Sequence, residues 1–217
     1  MAVKVLLADD HHLLREGLAA LIGHCDGMQV VAKAATGREA VRSARDLRPD
    51  IVILETTLPE LGGVEAARQI RSYVPSAKVM ALSMQRDGDV VLDMLKAGAT
   101  AYVLKTCAVE ELLRAIQSVL AGQTYLGPEI AGIVTDVYVG GLPRSAGRPK
   151  AALTPRQREV VQLLAEGLTP KEIALRLKRS IKTIEMHRRL AMDRLDIGSM
   201  ADLMRYAIRK GLVRLDP

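Results

Sequence analysis

Five polar side chains stand where apolar runs of this sequence stop. Asp9 and Asp10 follow VKVLLA (3–8), Glu55 follows DIVIL (50–54), Ser83 follows AKVMAL (77–82) and Lys105 follows TAYVL (100–104). Carboxylates at that density suit a hard cation such as Mg2+, which takes one or two of them together with waters and phosphate oxygens. A lysine and a hydroxyl beside them suit a phosphoryl group, as point charge and hydrogen-bond donor. Taken singly, each residue has a plain structural use: Asp10 and Ser83 as helix caps, Lys105 and Glu55 as solvated charges. Their recurrence at successive run ends points instead to one shared site.

Such a site needs strands that end together. With MQVVAKA (28–34) the apolar runs number five, and amphipathic stretches such as GREAVRSARDL, VEAARQIRSY and VEELLRAIQSVLAG separate them. Strands that are nearly all apolar, alternating with helices, predict an α/β doubly wound five-stranded parallel sheet covered on both faces. Ligands of such sheets sit beyond the carboxyl ends of the strands. No glycine-rich phosphate loop follows the first strand, where two aspartates would repel a nucleotide, so a dinucleotide enzyme is disfavoured.

The rest of the chain differs in charge and in periodicity. Residues 1–125 hold 14 Lys/Arg against 15 Asp/Glu, whereas residues 126–217 hold 17 against 10, so a nucleic-acid partner is a candidate for the second part only. The sequence predicts a first domain over 1–121, a helix and linker over 122–150 that includes GGLPRSAGRPK (140–150), and an all-α domain over 151–217. Thr154-Pro155-Arg156-Gln157 and Thr169-Pro170-Lys171-Glu172 each read as a capping box with proline at the first helical position. With further starts at Ser180 and Ser199, four helices are predicted over about 155–166, 170–178, 181–195 and 200–210, the second and third forming a helix-turn-helix. At about 100° per residue, Ile184, His187, Ala191 and Leu195 share one face of the third helix. Lys182, Glu185, Met186, Arg189 and Asp193 share the opposite ridge, the pattern of a helix that lies in a major groove. His187 thus reads as a packed side chain and Met186 as a contact for a thymine methyl.

Residues 1–121 resemble a two-component receiver domain, through ADD at 8–10, Pro59 and Gly63 behind the third strand, ALS at 81–83 and GATAYVLK at 98–105. The resemblance implies a flavodoxin-like fold, Mg2+ held by Asp9 and Asp10, a phosphoacceptor ending the third strand, Ser83 and Lys105 contacting the phosphoryl group, and Tyr102 as a switch. Glu55 departs from the family's aspartate, and Gly62 from its usual polar residue. Glutamate adds one methylene, about 1.5 Å of reach. Its carboxylate is therefore expected near Ser83 and Lys105, imitating part of an aspartyl phosphate with one negative charge against nearly two. That substitution also counts against bound Mg2+.

LTPRQREV, EGLTPKEIA and KTIEMHR make residues 151–213 similar to the LuxR-type DNA-binding domain, and the two parts together resemble the NarL/FixJ family of response regulators. The resemblance implies a transcription regulator, and Glu55 at the acceptor position makes the expected regulator independent of phosphorylation or constitutively biased. It contacts double-stranded DNA through Lys171, Lys182, Thr183, Glu185, Met186, Arg188 and Arg189. It binds as a homodimer, with Leu203, Met204 and Ala207 on the last helix as candidate dimer surface, and a sensor kinase or another response regulator is a further partner. The alternative is a degenerate regulator that acts by heterodimerising without an operator of its own. Phosphoryl hydrolysis is disfavoured, since no substrate pocket is identifiable. Cys25 and Cys107 follow neither metal nor disulfide spacing, and no run reaches the length of a membrane span, so a cytoplasmic protein is expected.

Overall fold

The computed structural model describes residues 2–139 and 153–213, which fall into two compact units divided after the sixth helix. The expected linker at 140–150 lies outside the described residues. In the first unit, β1 (Val3–Ala8), β2 (Met28–Ala34), β3 (Ile51–Leu54), β4 (Lys78–Ser83) and β5 (Ala99–Leu104) alternate with α1 (His12–Gly23), α2 (Gly37–Leu47), α3 (Gly63–Tyr73), α4 (Gly88–Lys96) and α5 (Val109–Leu120). The sheet is parallel throughout, in the order β2-β1-β3-β4-β5 with a further strand beyond β5.

Period-two alternation divides the core. Leu6, Ala8, Val52, Leu54, Val79, Ala81, Tyr102 and Leu104 face a cluster built with α2, α3 and α4. Val5, Leu7, Ile51, Ile53, Met80, Leu82, Ala101 and Val103 face a second cluster built with α1 and α5. Both faces are dry, which is why the strands carry almost no polar residue until their ends.

The expected count of five strands is one short. β6 (Tyr125–Leu126) pairs with β5 through Ala101 and Tyr102, and α6 (Pro128–Val139) follows it. Ile130 of α6 is fully buried in the cluster under α4, and Ile133 and Val134 pack against it. The first unit therefore runs past residue 121. Two residues are too few for an alternation pattern, so the extra strand leaves no periodic signal.

The second unit holds α7 (Pro155–Ala165), α8 (Pro170–Arg176), α9 (Ile181–Leu195) and α10 (Met200–Arg209). Both capping boxes form as read, with Thr154 and Gln157 on α7 and Thr169 and Glu172 on α8. Ser180 and Ser199 cap α9 and α10. Gly167, at φ 89°, follows α7 in the left-handed region, where glycine costs least.

One expectation fails here. Leu203 and Ala207 are fully buried in the unit's own core with Val160, Ile184, Ala191 and Leu195, while Met204 is half-buried beside them. Leu203 and Ala207 are thus no dimer surface, because the four-helix packing consumes the apolar face of α10. Among the described residues, no helix is long and apolar enough to cross a membrane. Leu203→Ala should cost the second unit about 2–5 kcal/mol. Urea unfolding checks this, and a lost dimer with unchanged unfolding would contradict the burial.

Candidate functional site

The carboxyl ends of β1, β3, β4 and β5 bring the expected side chains together. Glu55 continues β3 by donating its N–H to the Ala8 carbonyl at 2.9 Å, and Lys105 continues β5 by donating to the Ser83 carbonyl at 2.9 Å. The loop after Glu55 turns back on α3. A Cβ at Gly63 would stand 2.1 Å from the Glu55 carbonyl oxygen, so only glycine allows that approach.

Glu55 is buried and its two oxygens have different partners. Oε1 accepts from Ser83 Oγ at 2.5 Å, from the Thr56 N–H at 2.6 Å, from Thr56 Oγ1 at 2.9 Å and from the Thr57 N–H at 3.2 Å. Oε2 lies 2.6 Å from Lys105 Nζ. The same ammonium lies 2.6 Å from Asp9 Oδ2. Asp9 Oδ1 accepts from the His11 N–H at 2.9 Å and lies 3.2 Å from His11 Nδ1, which is also 3.1 Å from Asp10 Oδ1. Below them the buried Arg15 guanidinium donates to the Asp9 carbonyl oxygen. Asp9, Asp10 and His11 present ligand atoms within 4.8 Å of one another, the one such group among the described residues.

Tyr102 is fully buried under this cluster, and burial pushes its phenol well above the ordinary value. The neutral O–H donates to the Gln85 carbonyl at 2.9 Å, and the Gln85 N–H reaches Ser83 Oγ at 3.2 Å. The backbone of Tyr102 faces the other way and accepts from the Gly127 N–H at 2.9 Å. Arg86 meets Glu129 at 2.6 Å. The loop after β4 is thus joined to Glu55 through Ser83 on one side and to α6 on the other.

Sequence reasoning named Asp9, Asp10, Glu55, Ser83, Tyr102 and Lys105, and all six meet. It missed His11, Arg15, Thr56, Thr57 and Gln85. Only Thr56 carried a signal, a hydroxyl directly after a buried acid, where a turn alone would not need one.

The second candidate surface is the outer side of α8 and α9. Lys171, Lys182, Met186 and Arg189 are exposed, and Thr183, Glu185 and Arg188 half-buried. Ile184, Ala191 and Leu195 turn inward as expected. Two pairings shape this surface. Glu185 and Arg188 form an ion pair at 2.5 Å, and Thr183 closes the helix start, its N–H donating to Ser180 Oγ at 3.1 Å and its hydroxyl 2.8 Å from that atom. Leu190 extends the exposed ridge beyond Met186.

Comparison with known proteins decides the family. Residues 5–117 match the response regulator receiver domain, and residues 151–207 match the bacterial regulatory proteins of the luxR family. The chain belongs to the LuxR-type response regulators. It is 33% identical to the oxygen regulatory protein NreC of Staphylococcus epidermidis, over 97% of this chain and 99% of that one. A LuxR-family response regulator from Aurantimonas covers 64% of the chain at 38% identity and a TM-score of 0.61, with 99% of its own length matched. RcsB from Salmonella enterica serovar Typhimurium covers 95% of the chain, and 98% of its own, with a TM-score of 0.66; at 24% identity this is a likeness of fold. Receiver and LuxR-type domains therefore stand in the order that the sequence implied.

His187 supplies a pH test of the second unit. Burial first, then the nearby Arg156 and Arg179 charges, hold its imidazole below the ordinary value of 6.5. The unfolded chain therefore takes up this proton first, so the contribution of neutral His187 is present above about pH 6.5 and falls away as acid is added below it. Denaturation of the unaltered response regulator between pH 7.5 and 5 should show that loss, and His187→Gln should flatten it.

Proposed function

We propose that this response regulator controls transcription from the cytoplasm by binding double-stranded DNA as a homodimer. In this reading α9 lies in the major groove and the receiver works without accepting a phosphoryl group. The observation that carries the second half is the carboxylate of Glu55, which meets Ser83 Oγ at 2.5 Å and Lys105 Nζ at 2.6 Å at the same time. A phosphoryl group on a shorter acceptor would engage that hydroxyl and that ammonium. Here one carboxylate already does so, with one negative charge and planar oxygens in place of a tetrahedral group. Partial imitation biases the receiver; it does not reproduce the full signal. The DNA half is supported by the family, by the basic excess of residues 126–217 and by the exposed ridge of α9. RcsB, whose fold this chain shares, has been solved as dimers on DNA.

Operators selected from a random duplex pool give the substrate for the test. Acetyl phosphate with Mg2+ should leave no phosphoryl group on the chain and leave operator affinity unchanged, with Glu55→Asp as the positive control. Glu55→Gln keeps the shape and removes the charge, and should weaken operator binding about tenfold, the consequence of ~1.4 kcal/mol. Stoichiometric phosphorylation of the unaltered chain would refute the reading. Failure of the purified chain to retain any duplex would leave heterodimerisation with another regulator as its route.

The same titrations separate reading from holding. Lys171 opens α8 at the surface, where a phosphate contact fits. Lys171→Ala should weaken selected and scrambled duplexes alike and lower the salt slope by roughly 0.9. Arg189→Ala should cost about 1–3 kcal/mol on the selected duplex alone. Because Arg188 is paired to Glu185, Arg188→Ala frees that carboxylate and should shift base preference as well as affinity. The opposite pattern for Lys171 and Arg189 would reverse the orientation of α9.

A further inference from the structure

The receiver family implies a divalent cation among the strand-end acids, and the donor set of this chain does not fit one. Mg2+ needs several oxygen donors at about 2.1 Å in near-octahedral array, with carboxylate lone pairs free to turn toward it. Asp9 Oδ2 and Glu55 Oε2 both point at Lys105 Nζ, each at 2.6 Å, and the lysine side chain is only 5% exposed. Glu55 Oε1 is taken by two hydroxyls and two N–H groups. The remaining Asp9 oxygen and Asp10 Oδ1 converge on one imidazole nitrogen, His11 Nδ1, at 3.2 and 3.1 Å. Asp9 Oδ1 also accepts the His11 backbone N–H at 2.9 Å, so both oxygens of Asp9 are engaged within the chain.

We infer that the chain's own nitrogens stand where the cation would: Lys105 Nζ joins Asp9 to Glu55, and His11 Nδ1 joins Asp9 to Asp10. The extra methylene of Glu55 makes this arrangement, because it carries the third carboxylate onto the ammonium. A dication entering the cluster would meet the lysine charge at close range and would have to displace it from two acids. The receiver therefore keeps Asp9 and Glu55 engaged from within, and its state does not follow the Mg2+ concentration. This deepens the phosphoryl-independent reading above by giving it a cause that can be measured without DNA.

The experiment titrates MgCl2 calorimetrically, and Mn2+ by water-proton relaxation, into the full-length chain after EDTA treatment. The unaltered chain should show no saturable uptake at millimolar metal and no change of melting temperature. His11→Ala removes an exposed side chain that makes no capping bond at the start of α1, so the fold is kept. It should raise Mn2+ affinity at least about tenfold, and Lys105→Ala should raise it further, toward one ion per chain. Uptake by the unaltered chain that Asp10→Asn abolishes would overturn the inference, as would failure of both variants to gain any. Uptake of metal with operator affinity still indifferent to acetyl phosphate would sink the cation inference alone. No uptake, with equal operator affinity for Glu55→Gln and the unaltered chain, would sink the regulatory reading alone.

Discussion

Lys105 reaches two carboxylates from different strands, Asp9 after β1 and Glu55 after β3, at 2.6 Å each and almost without solvent. Charges so far removed from water persist only when paired and hydrogen-bonded, and stripping one partner away typically costs about 3–5 kcal/mol. The sheet has to supply that pairing geometrically. Ala8 pairs with Leu54, Leu54 with Ala81 and Ser83 with Leu104, so that the strands release their polar ends onto one shelf. The dry faces above and below it, with fully buried residues such as Leu6, Ile70 and Ile116, leave those groups no other outlet.

That shelf is tight in its backbone and selective in its side chains. Gly63 lies so close to Glu55 and Thr56 that the acceptor residue cannot back away, which leaves side-chain length as the variable. A glutamate therefore cannot sit there passively. Its oxygens arrive at Ser83 and Lys105, and Thr56 supplies a second hydroxyl to the same oxygen. A carboxylate held by two hydroxyls, two amides and an ammonium is a fixed point, and the loop from Ser83 to Arg86 is arranged around it.

Much of this was legible because α/β topology dictates where strand ends go. Asp9, Glu55, Ser83 and Lys105 could be placed in one site from their positions after apolar runs alone. Thr56 was signalled only by a hydroxyl directly after the acid, and Thr57 reaches Glu55 through a backbone N–H that any residue but proline offers. His11 and Arg15 act through ring and backbone geometry that no spacing announces. The misreading of Leu203 and Ala207 has a general cause. An i, i+4 apolar pair marks a face that must be covered, and does not say whether the cover is the unit's own core or a second chain. Here α7 and α9 supply it. β6 escaped because a two-residue strand has no period.

The short strand and the helix behind it change where the receiver ends as a physical object. Ala101 and Tyr102 have their outer backbone groups paired by β6, and Ile130 closes the hydrophobic layer beneath α4. Cutting the chain at 121 would leave an open sheet edge, which invites pairing with another strand, and an unfilled hollow in the core, which lowers stability. The separable module therefore finishes with α6, and transplanting this receiver onto another output domain would have to carry residues 122–139 along as part of the receiver, not as tether.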